Sequence, residues 1–392
     1  MMYRYKALSD FSILLSVLIA LTSANPWFVW HIGVLKLALL GLFIIVRTYL
    51  SSRFIPSKYL GPLFSCVILF VYLYSLQAPT VSDAFTTLLT RLMPLCLFIL
   101  FDDYEKARFL KLLTNILAIV LLISLVFFVA FHANLPLTYS RISNADSFYN
   151  EFYNYYAFII PGHTGLFTRF QSVFTEPGHL GMIIALLFYI IGYNFRKWQA
   201  WVLLIALLWT FSVAAYILFF IGFVIYKFCY SKKKLQSVII LSLLSVTMVG
   251  LSILHYKSNP DSLISTMILE RLQLDEGKGL SGNNRNTIQF MQYYEKFLNS
   301  NEVYLGLGTE KYQSLNFISG NSSYRCFVME YGVVGLFLLA IFYISCIIPK
   351  RSILYWGLFI LYCFSFWQRP YALWEIESFS FIAFSTTIKI KL

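Results

Sequence analysis

Runs of roughly 18 to 22 nearly uncharged residues recur along this chain, each long enough to cross a hydrocarbon core about 30 Å thick as a helix. Inside lipid such a segment has to satisfy its own backbone N–H and C=O groups, which restricts the chain to a bundle of spanning helices. Composition agrees: of 392 residues, 59% are hydrophobic and 12% charged, with a mean hydropathy of +0.71. A soluble surface needs about twice that charge. The expected fold is all-α, a polytopic integral membrane protein forming a single transmembrane domain over residues 1–392.

The formal charge of +12 raises the question of nucleic acid, and the placement of the basic residues answers it. They cluster at Arg4/Lys6, Arg47/Arg53/Lys58, Lys106/Arg108/Lys111, Arg196/Lys197, Lys227/Lys232/Lys233/Lys234, Lys350/Arg351 and Lys389/Lys391. Every second short connection is basic, and the connections between (near Asn25, at 78 to 83, at Thr210 to Ser212) carry no Lys or Arg. That is the positive-inside pattern; it places both termini in the cytoplasm and makes nucleic acid an unsuitable partner.

The same alternation gives about twelve spans: 9–24, 27–46, 60–77, 84–101, 112–132, 179–195, 198–210, 213–228, 236–254, 326–348, 353–368 and 372–388. Residues 198–228 are too long for one ordinary span and read as a hairpin turning at Thr210 to Ser212. Arg4 and Lys6 before an apolar run ending in Thr22-Ser23-Ala24 imitate a cleavable signal, and the further spans downstream favour a retained signal anchor. Cys66, Cys96, Cys346 and Cys363 fall inside expected spans and Cys229 and Cys326 at span ends, a distribution that indicates neither a disulfide framework nor a thiolate metal site.

Two connections stand apart, at about 133–178 and 255–325, both on the outer side if 198–228 is a hairpin. Loops this long inside a compact domain are usually functional. The first holds Arg141 and a run of tyrosines including Tyr149, Tyr153, Tyr155 and Tyr156. Such rings beside Asn and Glu suit a sugar, and equally suit an interfacial aromatic belt. Arg169 and Glu176 precede Pro177-Gly178, which reads as a helix start, so Glu176 is expected at a positive helix N-terminus. The pair fits either phosphate binding with proton acceptance or a mutual ion pair fastening the loop.

The second loop carries Arg271 and Arg285 around a Gly-rich stretch at 277–282 that lacks Walker spacing. Two arginines suit a pyrophosphate; solvated surface charge is the plainer alternative. Arg325 and Glu330 fall one or two turns into the tenth expected span, where a charge costs roughly 2.5 to 3.5 kcal/mol at the centre and less at the edge. Such residues face a cavity or a partner, unless they snorkel. Arg369 and Glu375 at the last outer turn, and Arg91 and Lys36 within spans, raise the same question.

These residues carry a resemblance. Arg169 followed by "EPGHLG" at Glu176 to Gly181, then "ERL" and "SGNNRN" between Glu270 and Asn286, then "GNSSY" and "MEYGVVG" at Gly320 to Gly335, and "QRP" at Gln368 to Pro370, resemble in order and topology the Wzy-type O-antigen polymerases and the related O-antigen ligases. The resemblance implies a glycosyltransferase of the bacterial inner membrane with its active site facing the periplasm. It would join repeat units carried on undecaprenyl pyrophosphate, in lipopolysaccharide biosynthesis, without metal or cofactor. It also implies membrane lipid and a chain-length regulator protein as partners. By position, Arg169, Arg271 and Arg285 are the expected pyrophosphate ligands. Glu176 is the first candidate base, followed by Glu330 and His179, and Arg325, Asn321, Tyr324, Arg369, Tyr153 and Tyr156 are candidate substrate contacts. Asn321 stands where ligases of this kind have His, which favours polymerase over ligase. A lipid-linked oligosaccharide flippase is the alternative of another class; it predicts short loops and pseudo-symmetric halves, against two long asymmetric loops here.

Overall fold

The computed structural model describes residues 2–50, 55–75, 80–144, 149–162, 168–230, 236, 247, 251, 253–262, 265–270, 274–275, 279–280, 286–315, 323–350, 352–369 and 371–386. In chain order the first helices are α1 (Met2–Ser23), α2 (Gly33–Leu50), α3 (Ser57–Phe70), α4 (Val81–Thr87), α5 (Met93–Ile99), α6 (Asp103–His132), α7 (Pro177–Ile190), α8 (Trp198–Trp209) and α9 (Val213–Tyr230). After the second long connection come Tyr324–Ile347, Ile353–Gln368 and Glu375–Thr386, called here the broken, penultimate and last helices. Helices therefore stand at every expected span except 236–254, most of which lies outside the described residues. Among the described residues, seven helical stretches are long and apolar enough to cross a membrane. Exposed apolar side chains such as Val34, Phe64 and Phe337 on three of these stretches are what a lipid-facing surface requires.

Local chemistry accounts for the boundaries. Asp102 caps α6 by accepting from the Glu105 N–H at 2.7 Å, while Glu105 reaches back to the Asp102 N–H at 3.0 Å, a reciprocal capping box. Pro177 occupies the first turn of α7, where its missing N–H costs nothing. Residues 198–228 divide at Thr210 to Ser212, with Phe211 in the left-handed region at φ 44°, so α8 and α9 are separate helices joined by a tight turn. Helix α7 is buried almost all round against α9, α8 and the last two helices. Stacked rings continue the core elsewhere, as where Phe98 lies flat on Phe379 at 4.2 Å.

The first long loop differs from the all-helical expectation. It forms a three-stranded antiparallel sheet, β1 (Ser140–Ser143), β2 (Glu151–Asn154) and β3 (Ile159–Pro161), with Arg141 opposite Tyr153 and Tyr153 opposite Ile160. Phe152 and Asn154 point inward and their neighbours outward, the period-2 pattern of a half-buried strand. The sheet is tied to the membrane domain: Phe152 packs on Trp30 at 5.1 Å, and the Trp27 indole donates to the Tyr156 carbonyl at 3.2 Å.

The broken helix is interrupted at Gly332, whose φ of 68° and ψ of −178° no interior helical residue adopts. The carbonyls released by the break are answered by the second long loop and by Tyr72 from the turn after α3. Leu307 N–H donates to the Met329 carbonyl at 2.8 Å, Gly308 N–H to that of Glu330 at 3.1 Å, and the Tyr72 hydroxyl to that of Tyr331 at 3.0 Å. Gly306 and Gly332 meet backbone to backbone: a Cβ on Gly332 would lie 2.3 Å from the Tyr304 carbonyl oxygen. Non-helical backbone at membrane depth is tolerated where protein satisfies it in this way.

Candidate functional site

The end of α1, the beginnings of α2, α7, the broken helix and the last helix, the turn before the last helix, and the π-helical turns after α3 and α4 surround a cavity of about 460 Å³. Its polar lining comprises Lys36, Tyr74, Arg91, Glu176, His179, Glu330, Tyr331, Tyr371 and Glu375. Volumes of roughly 300 to 1,000 Å³ are the range of small-ligand sites. By contrast, the small cavity beside the buried Glu377, whose carboxylate accepts from Ser365 at 3.1 Å, has about 20 Å³, room for one water.

Glu176 is the N-cap of α7 without capping it through its side chain. Its carboxylate instead pairs with Arg369, at the end of the penultimate helix, and lies 3.8 Å from His179 Nε2 one turn on. Burial opposes the charge of Arg369, and the Glu176 carboxylate more than offsets it, so the guanidinium binds its proton more tightly than an ordinary arginine. The Arg369 Nε is buried with no hydrogen-bond partner among the described residues, so within them the pair is not saturated. His179 Nε2 is 3.0 Å from the Tyr371 hydroxyl, and its ring stands edge-on to Tyr371 and Trp374. Glu176, His179, Arg369 and Tyr371 thus form one connected group drawn from two distant parts of the sequence.

Glu330 joins the cavity lining from the first half of the broken helix. Its carboxylate accepts from the neutral Thr309 hydroxyl at 3.0 Å, a contact delivered by the same loop that seals the break. Lys36 and Glu375 face each other at 3.8 Å. Arg91 donates to the Tyr74 hydroxyl at 3.3 Å.

The remaining expected residues are distributed unevenly. Arg169 is at the same end of the bundle but outside the cavity lining; its Nε donates to the Thr210 carbonyl at 2.8 Å, where a cation complements the C-terminus of α8. Arg325 lies over the rings of Tyr294 and Tyr324 at 5.6 and 5.2 Å, and Tyr324 stacks on Trp367 at 4.4 Å. Tyr153 and Tyr156 belong to the sheet region of the first loop and are not among the cavity-lining residues; Arg141 sits over Tyr153 at 5.6 Å. Arg271, Arg285 and Asn321 lie outside the described residues. Asn286, next to Arg285, accepts from Ser323 at the start of the broken helix at 2.9 Å. Sequence reasoning did not single out Tyr74, Thr309 or Tyr331, whose uncharged side chains in apolar or loop segments carry no signal of their own.

Protein-family models, curated proteins and solved structures were compared with the chain, and none matches it.

Proposed function

We propose that the protein is a membrane glycosyltransferase that polymerises polysaccharide repeat units carried on undecaprenyl pyrophosphate, working in the bacterial inner membrane through about twelve spans, with the cavity facing the periplasm. The observation that supports the reading is one cavity lined by three carboxylates in different states, Glu176 paired with Arg369, Glu375 facing Lys36, and Glu330 bonded to a hydroxyl.

Transfer requires a base for the attacking sugar hydroxyl and cations where the leaving pyrophosphate gathers charge. In this reading a hydroxyl of the acceptor unit attacks the anomeric carbon of the lipid-linked chain. A carbon–oxygen bond forms there, the bond to the pyrophosphate oxygen breaks with its electron pair on that oxygen, and the hydroxyl proton passes to a carboxylate. Glu330 suits that role better than Glu176, because a carboxylate already neutralised by an arginine is the poorer proton acceptor. Glu176 and Arg369 then hold the start of α7 to the last outer turn, with His179 and Tyr371 as polar contacts for sugar hydroxyls. Arg169, Arg271 and Arg285 remain the loop arginines proposed for the pyrophosphate, a role that suits the planar fork of a guanidinium.

The test is elongation of a purified lipid-linked repeat unit by the purified protein. Longer glycans are the expected product. Transfer exclusively to lipid A core would make it a ligase, and absence of any covalent product with translocation across a vesicle membrane would make it a flippase.

A further inference from the structure

Two helices bordering the cavity are distorted in the same way. The chain leaves α3 through a π-helical turn at Val71–Ser75, and leaves α4 through another at Leu88–Leu92. Each π turn inserts an extra residue into a helical turn and re-aims the side chains beyond it; such turns occur frequently at functional sites. The two pack against each other's helices. Between them they present Tyr74 and Arg91 to the cavity, with the guanidinium 3.3 Å from the hydroxyl and 5.4 Å from the ring centroid.

Arg91 stands in the apolar stretch Val81–Ile99, where a cation is costly to insert. A structural reason for such a residue would be a carboxylate. Arg369 has Glu176 and Lys36 has Glu375, whereas Arg91 has no carboxylate within 4 Å among the described residues. It is also among the residues that line the cavity. A cation held by a neutral phenol at the cavity lining, with the Glu375 carboxylate close enough to attract it but beyond ion-pair distance, retains capacity to bind an anion.

We infer that Arg91, oriented by Tyr74, is a phosphate ligand of this cavity and binds the pyrophosphate of the prenyl-linked donor from its membrane side. This rests on the glycosyl-transfer reading for the identity of the donor, while the anion site itself does not. Arg91 adds to the loop arginines a contact at membrane depth, where a prenyl-borne headgroup would enter. The planar fork of arginine can take two phosphate oxygens at once, which favours pyrophosphate over monophosphate.

The experiment is direct binding by native mass spectrometry of the full chain in nanodiscs, with undecaprenyl pyrophosphate, undecaprenyl monophosphate and inorganic pyrophosphate as separate probes. Wild type should bind the lipid pyrophosphate most tightly. Arg91→Gln should weaken it at least tenfold, Arg91→Lys by an intermediate factor with the preference over monophosphate reduced, and Tyr74→Phe by two- to threefold. Thermal unfolding of each variant reports folding, and Arg91→Lys retains the charge if Arg91→Gln does not fold. If inorganic pyrophosphate competes at equal concentration and shows the same loss in Arg91→Gln, the site is one for free phosphate and the lipid assignment is overturned. Wild-type affinity in folded Arg91→Gln, or no binding by wild type, overturns the inference altogether. Arg91-dependent binding without elongation of any repeat unit would leave the phosphate site standing and remove the transferase reading; elongation with unchanged binding in Arg91→Gln would do the reverse.

Discussion

The two ends of the helical bundle solve opposite problems with the same residue types. At the end away from the cavity, charges are closed on carboxylates or on a backbone carbonyl. Arg47, 5% exposed, donates to Glu105 at 2.8 Å and lies over Phe101 at 4.1 Å, and Glu105 also accepts from Ser9 while capping α6. The fully buried Lys106 donates to the Ile99 carbonyl at 2.7 Å, and Arg108 pairs with Asp10. At the cavity end two pairs are also closed, Glu176 with Arg369 and Lys36 with Glu375, but Arg91 and Glu330 meet neutral hydroxyls and line the cavity, and backbone meets backbone at Gly306 and Gly332. A charge closed on a carboxylate fastens helices. A charge held by a hydroxyl keeps its capacity for a ligand, and backbone contacts then have to supply the rigidity.

The contrast breaks most severely at Gly332. Gly332→Ala places a Cβ 2.3 Å from a carbonyl oxygen in a conformation L residues rarely adopt, and neither backbone segment can retreat without opening the seal. We expect a cost beyond about 4 kcal/mol, seen as loss of folded protein in detergent. A variant that folds with wild-type thermal stability would mean the backbone seal is not what holds this end together.

Next in size is the closed end. Arg47→Ala leaves the buried Glu105 carboxylate without its counter-charge and should destabilise by about 3 to 5 kcal/mol, whereas replacing Arg47 and Glu105 together by leucines should recover part of that loss. Recovery is limited because Glu105 also caps α6, so Ser9 and the Asp102 N–H lose a partner. Turnover per folded molecule should be unchanged in both, which elongation normalised to folded protein would check.

At the cavity, the contrast predicts the reverse pattern. Glu330→Gln keeps the shape and a hydrogen-bond acceptor for Thr309, so thermal unfolding should stay near wild type while elongation falls by about 10²- to 10⁴-fold. Glu176→Gln should instead lower stability and activity together, because it leaves a buried guanidinium without its counter-charge. If Glu330→Gln elongates normally, the base lies elsewhere and the division of labour between the two carboxylates is wrong.

How much of the fold and the site was legible in the sequence depends on how local each signal is. The start of α7 is set by adjacent residues, Glu176 to Gly178, and was readable; so was the division of 198–228 at Thr210 to Ser212. The sheet was not, because β1, β2 and β3 are four residues or fewer and so short an alternation has no weight against an aromatic loop. The "MEYGVVG" segment could be matched as a motif, but the break at Gly332 depends on Gly306, far away in the second loop. The same limit applies to charges: Glu176 and Arg369 are 193 positions apart, Arg47 and Glu105 are 58 apart, and nothing local distinguishes a carboxylate awaiting a proton from one already claimed. Individual candidate residues could be found; their pairing could not.

The smallest effect is expected where the closed end meets water. Lys58 and Asp103 approach to 3.3 Å, but the lysine side chain is 45% exposed and the aspartate 27%. Solvent screens most of the attraction, and holding a long side chain in one geometry costs entropy, so Lys58→Ala should shift stability by no more than about 1 kcal/mol. The Lys58 ammonium also lies 4.8 Å from the Tyr59 ring centroid, a contact of the same modest order at an exposed position. The deeper layer of that end does not pass through Lys58, since the Tyr59 hydroxyl donates to the Phe101 carbonyl at 3.0 Å and Lys106 covers the same ring from inside. Chemical or thermal unfolding of Lys58→Ala beside Arg47→Ala therefore separates depth from charge. Near-equal losses would show that the closed end is held by a shared electrostatic network reaching the surface, and not by the buried Arg47–Glu105 pair.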